Sequence, residues 1–166
     1  PQRAAEAVAK AQYLAREGLA AVRRSVAALR ASPLDTAALG EAIGEVMGNI
    51  RATGIATTFT IEGETCPLPI QTKTALYRAA QEGLTNVRKH ASASAVQVAL
   101  AYESERVVLT VSDNCTGRRG EQAEGFGLLG LRERMALLGG SLEAGDRPEG
   151  GFRLRVEVPV KERDDG

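Results

Sequence analysis

The sequence predicts an α+β domain that follows one long amphipathic helix. Residues 3–30 contain no proline and a single glycine, which is typical of an uninterrupted helix. From residue 39 onward, helical and strand-like hydrophobic patterns alternate, with turn residues between them. Polar side chains and glycines gather near the ends of several of these later elements, and that is where we expect a functional site.

Composition excludes several classes of protein. The 166 residues include 21 basic and 21 acidic ones, and this balance argues against a nucleic-acid or membrane-surface partner. No run approaches the ~18 apolar residues of a membrane helix, and no signal peptide is visible. Cys66 and Cys115 lack the spacing of a metal site or a disulfide framework. We therefore expect a soluble cytoplasmic domain.

The first helix carries a bundle-like apolar seam. Its members follow steps of 7, 4, 3, 4 and 3 residues: Val8, Ala15, Leu19, Val22, Val26 and Leu29. A helix of about 28 residues is roughly 40 Å long, which is longer than one small domain can cover. The pattern favours packing against other helices, and the alternative is a helix lying along its own domain. Pro33 marks the boundary.

The α/β region starts with a helix, a strand and a second helix. Helical spacing predicts the first helix from Leu39, Ile43, Val46 and Ile50. Gly54 is its predicted end, and residues 55–61 form a strand followed by a turn at 62–64. Two prolines then precede a helix whose apolar stripe is Leu76, Ala80, Leu84, Val87 and Ala91.

The remaining pattern predicts two hairpins separated by a loop and a helix. Alternating apolar residues mark two strands joined by a turn at 103–106: Val96, Val98, Leu100 and Tyr102, then Val107, Leu109 and Val111. Residues 116–125 are polar and lack periodicity, so we predict a loop there. The last helix is predicted from Leu128, Leu131, Met135 and Leu138. Strands at 141–144 and 153–158 complete the fold.

Three polar side chains recur every four residues on the second helix of the α/β region. Glu82, Asn86 and His90 therefore share one helix face. Such a set can orient a hydroxyl, coordinate a hard cation through the amide oxygen and contact a phosphate; Glu82 is the candidate catalytic carboxylate. Asparagine is a poor helix former, so its mid-helix position suggests a function. The alternative for each residue is a structural one: Asn86 as a solvated surface residue, Glu82 as a surface charge and His90 as a cap at the helix end.

Two further stretches complete a candidate nucleotide pocket. Asp113 follows Val111 at even spacing, so it should point to the buried face, where a carboxylate needs a partner. An adenine amino group is one such partner, and an Asp-Asn turn is the alternative. Gly125, Gly127 and Gly130 run into a helix start, where backbone amides form an anion site; the alternative is a flexible linker. Together the three stretches describe a pocket for a magnesium-bound triphosphate.

These stretches resemble the nucleotide boxes of bacterial two-component sensor histidine kinases, in particular the nitrate-sensor and DesK-like subfamily of the gyrase, Hsp90 and histidine kinase superfamily. Residues 82–90 resemble the family's N box, and residues 113–117 and 125–133 resemble its two glycine boxes. Residues 148–152 resemble its closing glycine-containing turn. The resemblance covers the chain nearly end to end. It implies a two-layer α/β sandwich over residues 33–160, with a mixed sheet and helices on one face. Residues 118–124 would form a short ATP lid.

The resemblance also implies ATP and Mg²⁺ as cofactors and suggests roles for single residues. Asn86 would coordinate Mg²⁺ with the ATP phosphates, Asp113 would recognise the adenine amino group, and Lys89 and His90 would approach the phosphates. The predicted ATP-binding set is completed by Cys115, Gly117, Gly125, Gly127, Leu128 and Gly130.

Two features depart from the family pattern. The first glycine box normally reads Asp-x-Gly-x-Gly, but residues 113–117 read Asp-Asn-Cys-Thr-Gly. We expect the side chain of Cys115 to crowd the adenine or to require a different backbone angle. The family also phosphorylates a histidine on the first helix of a two-helix hairpin, whereas residues 1–32 resemble only the second. We expect a fragment without its phosphoacceptor, which should not autophosphorylate, ending in a polar tail at 161–166.

The predicted function is the ATP-binding catalytic part of a sensor histidine kinase, which transfers the γ-phosphoryl to a histidine absent from this fragment. The expected partners are a response regulator and a second copy joined through the hairpin, with no nucleic acid and no membrane contact from this fragment. The fragment would also fit the cytoplasmic part of a membrane-anchored sensor. One alternative is an anti-sigma-type serine kinase of the same superfamily, against which the N-terminal helix argues. The other is a non-catalytic nucleotide-binding or interaction module, which Cys115 supports.

Overall fold

The computed structural model describes residues 2–30, 38–89, 92–116 and 126–160. Their helices and strands follow the predicted order: α1 Gln2–Arg30, α2 Leu39–Arg51, β1 Ala56–Glu62, α3 Ile70–Lys89, β2 Ala95–Tyr102, β3 Arg106–Asp113, α4 Phe126–Leu137, β4 Ser141–Asp146 and β5 Phe152–Pro159. The chain forms two compact units that divide between residues 36 and 37.

The sheet has five strands in the order β1-β2-β3-β5-β4. The β1–β2 pair is parallel and the other three pairs are antiparallel. Parallel neighbours need a long crossover, and α3 supplies it between β1 and β2. The strand β5 lies between β3 and β4, so the last strand is an interior strand and β4 forms an edge. The predicted mixed sheet is confirmed.

The helices α2, α3 and α4 pack against one face of this sheet. Alternate residues of the central strands are buried beneath them: Val98, Leu100, Leu109, Val111, Leu154 and Val156. The predicted stripe of α3 is buried as well, except for Ala91, which lies outside the described residues. At Gly83 the helix comes so close to the sheet that an added Cβ would lie 3.1 Å from the side chain of Val111. The predicted two-layer α+β fold is confirmed.

The turns that follow α2 and α4 each contain a glycine, and the sequence predicts the first of them, Gly54. Gly54 follows α2 with a φ of +90°, and Gly139 follows α4 with a φ of +73°. Glycine adopts this left-handed region without the steric penalty of other residues.

The long helix α1 keeps much of its apolar seam accessible. Val8, Leu19 and Val22 are each more than half exposed, at 57%, 53% and 58%. The side chains of Val26 and Leu29 lie outside the described part of the chain. Within the described ranges, no helix is both long enough and apolar enough to cross a membrane.

Candidate functional site

The carboxylate of Asp113 is buried at the end of β3. Only 3% of the residue is exposed, so the prediction that it points to the buried face is confirmed. Its Oδ1 accepts hydrogen bonds from the backbone amides of Cys115, at 3.0 Å, and Phe152, at 3.2 Å. The first bond joins residues 113 and 115 and forms a turn at Asp113. This is the turn that the sequence offered as the alternative to an adenine partner. The second comes from β5, so the carboxylate joins two chain segments.

Asn114 fastens the end of β3 to the start of β2. Its side-chain Oδ1 accepts hydrogen bonds from the backbone amides of Ser94, at 3.0 Å, and Ala95, at 2.9 Å. Its Nδ2 donates to Ser94 Oγ at 2.9 Å. These three bonds hold the backbone on which Asp113 and Cys115 sit. The sequence does not reveal this role of Asn114, because its partners Ser94 and Ala95 precede it by 20 and 19 residues.

Cys115 is buried beside Asp113, with 3% of the residue exposed. No residue other than glycine has a positive φ in the described part of the chain. Cys115 therefore occupies the glycine position of the box without adopting the positive φ that glycine allows. The other expected consequence, crowding of an adenine by the thiol, stays a prediction.

The polar face of α3 meets the first turn of α4. Glu82 and Asn86 are half-buried and Lys89 is exposed. The Glu82 carboxylate lies so close to Gly127 that an added Cβ there would be 2.3 Å from its Oε1. This position also places a negative charge at the N-terminus of α4, where the helix dipole favours it. His90 lies outside the described residues.

Arg78 of α3 and Arg134 of α4 lie near each other and form a basic pair. Arg78 precedes Glu82 by one helical turn, which puts both on the same side of α3. Its Nε is buried and has no hydrogen-bond partner. Burial, and then the nearby Arg134 guanidinium of α4, lower the pKa of Arg78 below its ordinary value. The sequence does not reveal this pair, because the spacing of single arginines does not show which helices pack together.

The glycine positions of α4 differ in their surroundings. Gly127 faces Glu82, whereas an added Cβ at Gly130 would meet no atom within 4 Å. Leu128 is buried and anchors the first turn of α4 in the core. Gly117 and Gly125, with the whole predicted lid between them, lie outside the described residues.

Three of the predicted stretches converge in space. Gly83, next to Glu82, packs on Val111, which precedes Asp113 by two residues on the same face of β3. Glu82 itself contacts Gly127. The middle of α3 therefore touches both the strand that carries the buried carboxylate and the first turn of α4.

Residues 71–162 match the family described as histidine kinase-, DNA gyrase B- and HSP90-like ATPases. The sensor histidine kinase LnrJ of Bacillus subtilis is 32% identical over 160 residues, which are 96% of this chain and 39% of that protein. The histidine-protein kinase/phosphatase UhpB of Salmonella typhimurium is 37% identical over 144 residues, 85% of this chain and 28% of that protein. This chain thus spans about two fifths or less of these relatives.

The fold comparison agrees with the sequence relatives. The catalytic domain of histidine kinase ThkA, in a nucleotide-free form, superposes with a TM-score of 0.60 over 73% of this chain and 91% of that domain. At 18% identity, this likeness concerns the fold alone. The chain therefore belongs to the family of histidine kinase-, DNA gyrase B- and HSP90-like ATPases, and it corresponds to the ATP-binding catalytic part of sensor histidine kinases.

Proposed function

We propose that this chain binds Mg-ATP where α3, the end of β3 and the start of α4 meet, and that it transfers the γ-phosphoryl to a histidine on a helical hairpin. The observation that carries the proposal is the buried Asp113 carboxylate, held by two backbone amides beside this junction. Burial of an ionisable group is unfavourable without a task or a partner. Membership of an ATPase family supports ATP as the ligand.

In this proposal Asp113 selects adenine. A carboxylate accepts up to about four hydrogen bonds, so it can serve the amides of Cys115 and Phe152 and an adenine amino group together. Its burial strengthens such a bond, because water competes less for the same atoms. The amide of Phe152 comes from β5, which makes the orientation of the carboxylate depend on the fold of the sheet.

The phosphates would lie along the polar face of α3. Asn86 offers an amide oxygen one helical turn from Glu82, and both side chains are half-buried. Oxygen ligands of this kind suit Mg²⁺, which usually binds through few protein groups and substrate phosphates. The bound ion would neutralise charge on the phosphates, while Asn86 and Lys89 fix their position. His90 is the further phosphate contact in this proposal.

Glu82 is the proposed catalytic carboxylate, facing the acceptor imidazole. Phosphoryl transfer depends mainly on positioning and charge neutralisation, so a carboxylate held at one place beside the phosphates can orient the acceptor. The N-terminus of α4 and Gly127 together define that place.

The acceptor and the partners follow from the same proposal. Residues 1–32 would be the second helix of a dimerisation hairpin, residues 33–160 the catalytic domain and residues 161–166 a polar tail. The exposed apolar residues of α1, such as Val8, Leu19 and Val22, support a helical partner. A response regulator would receive the phosphoryl group, and the reaction would take place in the cytoplasm.

The test separates this function from its alternatives. The chain is incubated with radiolabelled Mg-ATP, alone and with a phosphoacceptor hairpin from a DesK-like kinase. We expect nucleotide binding at micromolar or weaker affinity, no labelling of the chain alone, and acid-labile labelling of the hairpin. Asn86→Asp or Glu82→Ala should abolish that labelling. Labelling of a serine would instead identify a serine kinase. Nucleotide binding without labelling of the hairpin, or no nucleotide binding at all, would identify a non-catalytic nucleotide-binding or interaction module.

A further inference from the structure

We propose that the peptide joining Gly151 to Phe152 is a specificity-determining element, which positions the Asp113 carboxylate for adenine. The inference rests on the proposed function, in which Asp113 recognises the adenine amino group. The sequence places Gly151 and Phe152 in the stretch that resembles the family's closing turn, at 148–152, and assigns neither residue a role of its own in ATP binding.

The first observation is the hydrogen bond between β5 and the Asp113 side chain. Phe152 is the first residue of β5, and its backbone N–H donates to Asp113 Oδ1 at 3.2 Å. Phe152 is 6% exposed and Asp113 3%, so water has little access to the bond. The last register pair of β3 and β5 is Ser112 with Arg153. One position further along, the amide of Phe152 therefore bonds to a side chain of β3.

The second observation is the close approach of Gly151 to β3. An added Cβ at Gly151 would lie 1.9 Å from the carbonyl oxygen of Asp113, 2.8 Å from its carbonyl carbon and 3.1 Å from the Cα of Asn114. All three neighbours are backbone atoms of a strand end, which cannot rotate away as a side chain would. A side chain at position 151 must therefore push the turn off β3 and stretch the bond from Phe152 to Asp113.

Different features determine the positions of the two backbone amides that donate to Asp113. The amide of Cys115 follows Asp113 by two residues and stays nearby wherever the turn lies. The amide of Phe152 reaches Asp113 only because Gly151 lets the turn lie against β3. Both bonds end on Oδ1, so each helps to orient the carboxylate. Loss of the Phe152 bond would remove the contribution of β5 to that orientation.

The neighbouring Gly150 provides a matched control. It has a φ of +99°, and Gly151 has a φ of +88°, so alanine is strained at both positions. An added Cβ at Gly150 meets no atom within 4 Å. Gly150→Ala and Gly151→Ala therefore share the backbone strain and differ in the contact with Asp113.

The experiment compares the affinities for Mg-ATP and Mg-ITP by titration calorimetry, because ITP carries a carbonyl in place of the adenine amino group. The ratio of the two affinities is measured for the unchanged chain, Asp113→Asn, Gly150→Ala and Gly151→Ala. We expect Asp113→Asn to lower the ratio by roughly tenfold, as for one lost ligand hydrogen bond. Gly151→Ala should lower it several-fold relative to Gly150→Ala, which should keep the original ratio. Circular dichroism reports separately whether each variant is folded.

The outcomes distinguish the two levels of the proposal. An unchanged ratio in Asp113→Asn would show that Asp113 does not read the adenine, and the proposed role of Asp113 would fail. A lowered ratio in Asp113→Asn, with equal ratios in Gly150→Ala and Gly151→Ala, would overturn only the positioning role of the Gly151–Phe152 peptide.

A second variant decides the matter if Gly151→Ala does not fold. Phe152 is replaced by its α-hydroxy acid analogue, which turns the Gly151–Phe152 amide into an ester and keeps the phenyl side chain. This change removes the N–H that donates to Asp113 and leaves Gly151 in place. We expect a lowered ATP to ITP ratio, and a ratio equal to that of the unchanged chain would overturn the inference.

Discussion

The carboxylate of Glu82 rests directly on Gly127, at a distance where a methyl group on residue 127 would come within 2.3 Å of Oε1 and 2.9 Å of Oε2. This contact joins the polar face of α3 to the first turn of α4. The neighbour of Gly127 is the far end of a side chain, so a larger residue would move Glu82 and leave the backbone in place. The glycine therefore determines where the proposed catalytic carboxylate lies.

Gly127→Ala should impair phosphoryl transfer while leaving the fold intact. The added methyl group turns the Glu82 carboxylate away from α4, so the labelling rate of a hairpin supplied in trans should fall at least several-fold. Gly48→Ala is the control, because an added Cβ at this helical glycine of α2 meets no atom within 4 Å and Gly48 lies outside the predicted ATP-binding set. Both changes should preserve or slightly raise stability, since alanine favours helix by about 1 kcal/mol over glycine. Equal labelling rates in the two variants would contradict the positioning role of Gly127.

Asp113→Ala should destabilise the domain more than Asp113→Asn does. Alanine removes the acceptor of two backbone amides in a buried site, and each unsatisfied group costs on the order of 1–3 kcal/mol. Asparagine keeps one acceptor oxygen for the amides of Cys115 and Phe152. Urea unfolding monitored by circular dichroism measures both free energies of unfolding. If the two variants were equally stable, the amide bonds to Asp113 would contribute nothing to the fold.

Cys115→Gly should tighten nucleotide binding and weaken the fold. The thiol is buried next to Asp113, so its removal would relieve the predicted crowding of the adenine. The same removal takes away buried side-chain surface and adds backbone freedom, which together cost about 1 kcal/mol or more. Cys115→Ala is the control, because alanine removes the sulfur and keeps a Cβ. Titration calorimetry that finds no gain in affinity for Cys115→Gly would show that the thiol is harmless to the ligand.

Tyr77 should make the domain sensitive to alkaline pH. Burial, and then the nearby Glu45 carboxylate, raise the pKa of Tyr77 above 10.0, while a hydrogen bond with Gln81 opposes them. The unfolded chain then loses this proton at lower pH than the folded chain, so stability is full below about pH 10 and falls as the pH rises towards the folded pKa. The matched variant Tyr77→Phe should flatten this decline in urea titrations between pH 9 and about 11. An unchanged decline would assign it to other groups, among them Tyr102, whose pKa is also raised.

The local pattern of apolar residues alone determined the helices and strands and the face of each that is buried. The stripe of α3 and the alternation of β3 repeat with the period of the helix and the strand, because side-chain direction follows from backbone geometry. That is why the burial of Leu84 and of Asp113 could be predicted from the sequence. The roles of Asn86, Lys89 and His90 in ligand binding remain predictions.

Only the tertiary structure decided which distant residues meet. Phe152 and Asp113 are 39 residues apart, and they meet because β5 inserts between β3 and β4. Gly127 and Gly130 look alike in the sequence, yet only Gly127 receives a carboxylate. Periodicity records how one segment faces the core and carries no information about its partner. The pairing of strands and the packing of α3 on α4 arise from burying all these faces at once, and they give Gly127 and Gly151 their different neighbours.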